Sequence, residues 1–229
     1  LSAASTALAL SADGTTLAVG GFGAVRVLRA GAGGYADAVR RIQEHGITVN
    51  GCFVIGLDGQ TPEIFDQVFD FVRAAELYEV QITVMTAFPG TPLYKKVLEE
   101  GRYLDVYQDK PDYRTFDGFS MHFKHANFEP KELEDLQHAL YRKAFETLGP
   151  SLVRVMKTWF EGYLSMKSSS RPLLHQRAER MRAYVRSAFP AIYPAIRFGP
   201  NRERRAEARQ FLEDIVQEFG SLTLKKRLE

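Results

Sequence analysis

The sequence predicts an α/β unit followed by an α-helical bundle, with a short β segment in front. Three observations predict this. Two apolar runs of strand length, residues 47–57 and 80–88, alternate with amphipathic helical patterns. Beyond residue 105 the apolar residues recur at helical spacing. Before residue 34 small residues and turn signals dominate. The chain therefore divides into residues 1–33, 35–105 and 106–229.

In the first part, Leu8-Ala9-Leu10-Ser11, Leu17-Ala18-Val19 and Val25-Arg26-Val27-Leu28 read as short strands. Asp13-Gly14 between two of them is a hairpin signal. Gly31 to Gly34 reads as a flexible joint. Residues 35–45 then form an amphipathic helix with Ala38 and Ile42 on one face and Gly46 at its C′ position. The run ITVNGCFVIGL, residues 47–57, is almost uninterruptedly apolar, as expected of a strand covered on both faces. Thr61-Pro62-Glu63 supplies a cap, a proline at N1 and an acid in the first turn. Ile64, Phe65, Val68, Phe69 and Val72 carry that helix onward. The second strand ends at Pro89-Gly90, and Thr91-Pro92 starts another helix that closes at Gly101.

The third part opens with a polar, aromatic loop over residues 107–128. Helical patterns follow at 130–148, 151–166, 172–189 and 201–219. Leu133, Leu136, Leu140 and Leu148 line the first. Val155, Met156, Trp159, Phe160 and Tyr163 line the second, and Phe211, Leu212, Ile215, Val216 and Phe219 the last. Short loops between such helices predict a small antiparallel bundle.

The 229 residues are 45% hydrophobic and 25% charged, an ordinary globular balance. The net charge of +2 conceals an asymmetry, because residues 151–229 hold 16 basic and 8 acidic residues. One cysteine, Cys52, excludes a disulfide framework and a multi-cysteine metal site within the chain and fits a cytoplasmic location. No apolar run approaches the roughly 20 residues of a membrane span. The first residue is Leu1 rather than Met, as in a processed chain or a fragment.

The stretches with most chemical content are the two strand ends. Residues 50–61 are a strand that stops in two glycines, Gly56 and Gly59, and passes into a capped helix. Ligands of α/β proteins sit at this edge, where glycine allows close backbone approach and a helix start offers free N–H groups. Residues 86–93, TAFPGTPL, occupy the same place after the next strand. Taken singly, each reads more readily as a tight βα turn than as a ligand site.

Together, the order strand–GLDGQTPE–helix–strand–FPGTPLY–helix resembles the last third of the radical S-adenosylmethionine (SAM) barrel. The resemblance covers residues 35–105. It continues through Leu93-Tyr94, Glu100-Gly101-Arg102 and the run 117–123, DGFSMHF, toward cobalamin-binding members with an extra C-terminal helical domain. It implies that Val54, Gly56 and Gly59, with Ala87, Phe88 and Pro89, form the adenine side of a SAM pocket, under a helical cap. It also implies a parent enzyme using a [4Fe–4S] cluster and cobalamin for methyl transfer or rearrangement of a small-molecule substrate. The family's CxxxCxxC loop, its first three strands and its cobalamin domain have no counterpart here, so this chain is expected to be inactive alone. Residues 1–33, with SADGTTLAVGG before VRVL, resemble one blade of a WD-repeat-like β-propeller, expected to be unrelated or mis-joined to the rest.

Other residues carry weaker signals. Cys52, inside an apolar strand, is expected to be a buried, inert thiol. His122 and His125 read as part of a polar lid or packing loop rather than a metal site. Arg177, Arg180, Arg182 and Arg186, and Arg202, Arg204, Arg205 and Arg209, read as solvated faces in preference to a nucleic-acid stripe. The rival reading is a non-enzymatic helical module binding a protein or RNA. Open edges of a partial sheet make self-association a further expectation.

Overall fold

The computed structural model describes residues 6–10, 16–21, 24–29, 32–105 and 113–220, with side chains from residue 34 onward. Five strands form one mixed sheet. They are β1 (Thr6–Leu10), β2 (Thr16–Gly21), β3 (Ala24–Arg29), β4 (Val49–Ile55) and β5 (Glu79–Val84), in the order β3-β2-β1-β4-β5. β1, β2 and β3 pair antiparallel, whereas β4 runs parallel to both β1 and β5. The three N-terminal strands thus join the same sheet as the α/β unit, with β1 hydrogen-bonded to β4. The turn at Asp13-Gly14 and the start of the expected loop at Tyr107 lie outside the described residues.

Helix α1 (Ala32–Glu44) begins where the sequence suggested a flexible joint, so Gly33 and Gly34 lie in its first turn. Gly46 closes it at φ +70°, the left-handed conformation that favours glycine. Helix α2 (Glu63–Ala74) buries Ile64, Phe65, Val68, Phe69 and Val72, as the spacing predicted. Its expected cap does not form. The Thr61 hydroxyl turns to the Glu63 carboxylate instead, and the helix has no side-chain cap. Helix α3 (Pro92–Glu99) is capped as read, with Thr91 Oγ1 accepting from the Tyr94 N–H.

The β4 run is covered on one face only. Val49, Phe53 and Ile55 are buried, while Val54 is 39% exposed and Asn50 and Cys52 are half-buried. The period-2 alternation is present but hidden in the sequence, because Cys52 and Val54 are themselves apolar. The register places Cys52 beside Gln81 and Val54 beside Thr83, so these residues share the open face.

Among the described residues, four of the five remaining helices follow the predicted pattern: α4 (Pro130–Leu148), α5 (Ser151–Met166), α6 (Pro172–Ala188) and α8 (Arg202–Phe219). Between α6 and α8 a 3-10 turn (Phe189–Ala191) and a short α7 (Ile192–Phe198) were not anticipated. Two cores result. Leu133 and Leu140 of α4 pack with the sheet and with α2, whereas Met156, Phe160, Val185, Ile192, Phe211 and Ile215 form a second core among α5–α8. The first core therefore extends past residue 105 to take in α4. Val216, read as lining α8, stays 40% exposed. Among the described residues no helix is long and apolar enough to cross a membrane.

Candidate functional site

Parallel pairing brings the ends of β4 and β5 to one edge of the sheet, so the two βα junctions lie side by side. The Met85 N–H still donates to the Ile55 carbonyl at 2.7 Å, beyond the last residue of β5. The first junction is held from several directions. Asp58 accepts from Lys96 of α3 at 2.7 Å and from Arg102 at 3.0 Å. The Lys96 hydrogen bond, ahead of the opposing effect of burial and then the bond from Arg102, holds the Asp58 carboxyl below its ordinary range. Asn127 Nδ2 donates to the Gln60 carbonyl at 2.8 Å.

Gln60, which sequence reasoning passed over, organises this turn. Its side chain is 94% buried. Its Oε1 accepts from the Gly56 N–H at 2.7 Å and the Leu57 N–H at 3.0 Å, and its Nε2 approaches the Val54 carbonyl at 3.4 Å. The main-chain N–H groups of Gly56 and Leu57 are therefore not free for a ligand: an amide from the same turn already satisfies them. Gly56 itself is buried at φ +82°, with Leu133 and Met121 packed beside its Cα. Gly59, at φ +86°, faces open space.

At the second junction Ala87 is fully buried, and its carbonyl accepts from the Tyr103 hydroxyl at 3.1 Å. Burial pushes that phenol up to about 12, so the hydroxyl keeps its proton and remains a donor. The Phe88 carbonyl accepts from Thr91 Oγ1 at 2.7 Å. The Phe88 ring is half exposed, and Pro89 is exposed. Of the six predicted contact residues, Val54, Gly59, Phe88 and Pro89 are open to a ligand, and Gly56 and Ala87 are enclosed.

The loop that follows returns to this edge. Phe88 meets Phe116 at 5.5 Å between centroids, and Phe116 stacks on His122 at 4.3 Å. His122 is fully buried, and desolvation by burial lowers the pKa of its imidazole, with the nearby Asp117 and Glu134 charges opposing. His125 Nε2 lies 2.9 Å from the Leu57 carbonyl, and its Nδ1 accepts from the Asn127 N–H at 3.1 Å. That pair of bonds assigns the neutral ring with its proton on Nε2. The two histidines thus serve separate partners, consistent with the packing-loop reading.

Cys52 departs from expectation. It is half-buried on the open sheet face, with Sγ 3.6 Å from Gln81 Oε1. Burial, and then the Glu79 charge, push the thiol above its ordinary range, so it is no thiolate at neutral pH. Three thiolates are needed to hold a [4Fe–4S] cluster that keeps one iron open. The single thiol of this chain does not meet that requirement. Among the described residues no group of three or more His, Cys, Asp or Glu is placed to hold a metal ion. What the edge offers chemically is apolar contact, from Val54, Phe88 and Pro89.

Comparison with known proteins fits this geometry in part. No family model matches the chain. Over 99 residues, 43% of this chain, it is 29% identical to a bacteriochlorophyllide d C-12(1)-methyltransferase of Chlorobaculum tepidum. Over 66 residues it is 33% identical to a hopanoid C-2 methylase of Rhodopseudomonas palustris. The similarity is to radical SAM methyltransferases of the cobalamin-binding kind, and it is distant. The matched parts span 19% and 12% of those two proteins, so this chain corresponds to a small portion of either.

Proposed function

We propose that the chain is the C-terminal part of a cobalamin-dependent radical SAM methyltransferase, supplying the adenine side of the SAM pocket and a helical cap. The observation that carries this reading is the placement of two βα junctions side by side on parallel neighbouring strands, next to an uncovered sheet face. Val54, Gly59, Phe88 and Pro89 are the contact positions open there, and the partial similarity to two methyltransferases supports the lineage. Gln60 fixes the first turn from within, so adenine contacts come from the Val54 side chain, Gly59 and the exposed Phe88 and Pro89 rather than from the Gly56 N–H. When bound in a complete enzyme, SAM would supply the methyl group or radical, and the cluster and cobalamin would be held by residues this chain does not contain. No step of the reaction is assigned to the residues present.

Calorimetric titration of the purified chain with SAM and with adenosine tests the reading. Both are expected to bind weakly and saturably, and Val54→Asp, at an exposed position, should abolish binding without loss of helix content. Iron–sulfur reconstitution should yield no cluster absorbance band and no SAM cleavage. Adenosine heats identical for the parent chain and Val54→Asp would remove the adenine side from the proposal. SAM cleavage by this chain alone would remove the claim that it is inactive.

A further inference from the structure

We propose that the corner of the bundle built on α7 docks on an anionic phospholipid surface, with its aromatic rings at the headgroup level and its arginines on the phosphates. The corner belongs to the bundle and not to the strand ends, and nothing in the inference depends on the adenine reading. Helix α7 turns one side to the second core, through Ile192 and Ala195. Its other side, Tyr193, Pro194, Arg197 and Phe198, is exposed. Residues four apart are neighbours on a helix surface, so Tyr193 with Arg197 and Pro194 with Phe198 form two adjoining rows. Phe198 is 76% exposed and Tyr193 50%. The Arg197 guanidinium lies over the Phe198 ring, 5.6 Å from its centroid, so charge and apolar area sit together.

The charge of this stretch has one sign. From Arg180 to Arg202 the chain holds five arginines and no acidic residue. Arg186 stands in the last turn of α6, Arg197 in that of α7, and Arg202 opens α8. All three are exposed, and none has an ion-pair partner among the described residues. The acids at the two borders are paired with other arginines, Glu179 with Arg182 at 3.4 Å and Glu203 with Arg204 at 2.7 Å. Glu146 of α4 meets the corner through its carbonyl, which accepts from Asn201 Nδ2 at 2.7 Å.

These features together select the occupant. Exposed aromatic rings beside unpaired arginines suit a bilayer interface, which takes up the rings at its apolar boundary and meets the guanidinium groups with phosphates. A second copy of this chain is disfavoured, because its arginines would face these. A nucleic-acid backbone would use the charges but leave the apolar area of Pro194 and Phe198 uncovered. No helix among the described residues is long and apolar enough to cross a membrane, so the association is peripheral.

The test is co-sedimentation of the full chain with vesicles of phosphatidylcholine alone and of phosphatidylcholine mixed with phosphatidylglycerol, with a mixed-sequence RNA as the comparison ligand. Binding to the anionic vesicles is expected, falling as salt is raised. It should weaken about fivefold or more in Arg197→Gln and in Phe198→Ser, the scale of losing one basic contact or one inserted ring. Both positions are exposed, and circular dichroism establishes that the variants keep the parent fold. Four results overturn the proposal: no binding to anionic vesicles, equal binding to neutral ones, unchanged binding in both variants, or tighter binding to the RNA that is lost in the same variants.

Discussion

The residue on which the strand-end turn depends is Gln60. A glutamine amide reaching back to two consecutive N–H groups closes a βα turn without water or ligand. Gln60→Ala would leave the buried Gly56 N–H and the half-buried Leu57 N–H without acceptors. Each unsatisfied buried group costs about 1–3 kcal/mol. The expected result is a lower urea midpoint with unchanged slope, measured by far-UV circular dichroism. Gln60→Glu keeps an oxygen at the same reach and should recover part of the loss. An Ala variant as stable as the parent would mean that the turn holds itself. The role of Gln60 was not legible in the sequence. It stands just before a helix start, and spacing does not reveal that its side chain turns backward. The glycines on either side of Asp58 were legible, because two glycines after an apolar run signal positive φ wherever the chain must turn tightly. The burial of Cys52 was misread for a related reason, though not its inertness: an apolar run does not announce which of its faces stays open.

Among the elements, β5 shows how a partial sheet protects its edge. The Tyr141 hydroxyl of α4 accepts from the Ile82 N–H at 2.7 Å and donates to its carbonyl at 3.1 Å. Gln137 Nε2 also donates to that carbonyl at 2.6 Å, and the Gly118 carbonyl accepts from the Val84 N–H at 2.7 Å. Burial raises the Tyr141 phenol above its ordinary range, so it stays protonated and able to donate. In Tyr141→Phe the Ile82 carbonyl keeps Gln137, but the Ile82 N–H loses its acceptor. Stability should fall by about 1–2 kcal/mol. Sedimentation velocity should also show more concentration-dependent association than the parent, because an unpaired edge donor recruits another strand. Equal sedimentation of the two chains would show that the loop at Gly118 covers the edge sufficiently by itself. The helices were the most readable elements, since amphipathic spacing and Gly149 or Gly220 mark their limits. Helix α7 went unread because it is short and contains a proline, Pro194. Pro194 in fact sits in the first turn of α7, where no N–H is required. The pairing of β1 with β4 was equally hidden, because strand partners distant in sequence leave no periodic trace.

At the scale of the whole molecule, the sheet unit and the helical bundle meet where two backbones touch. A Cβ placed on Gly162 of α5 would lie 2.3 Å from the Cα and 2.6 Å from the N of Gly46, at the end of α1. Met181 Sδ fills the space beside both glycines. Around this contact Ser165 Oγ donates to the Glu44 carbonyl at 3.1 Å, and the mostly buried Arg154 guanidinium spans from Leu77 to Gly149. Desolvation lowers the Arg154 guanidinium to about 10, still charged at neutral pH and committed to those carbonyls. The obstruction at Gly162 is main chain rather than a movable side-chain end, so Gly162→Ala can be accommodated only by separating α1 from α5. Overpacking of this kind costs about 1–3 kcal/mol. Separation should also weaken coupling between the two cores. Trp159, the sole tryptophan, packs against the second core, so its fluorescence follows the bundle, while far-UV circular dichroism follows the whole chain. In the parent the two urea transitions should coincide. In Gly162→Ala they should part. Coincident transitions in the variant, at the parent midpoint, would show that the two cores are joined by Arg154 and the α4 contacts instead of by the glycine pair.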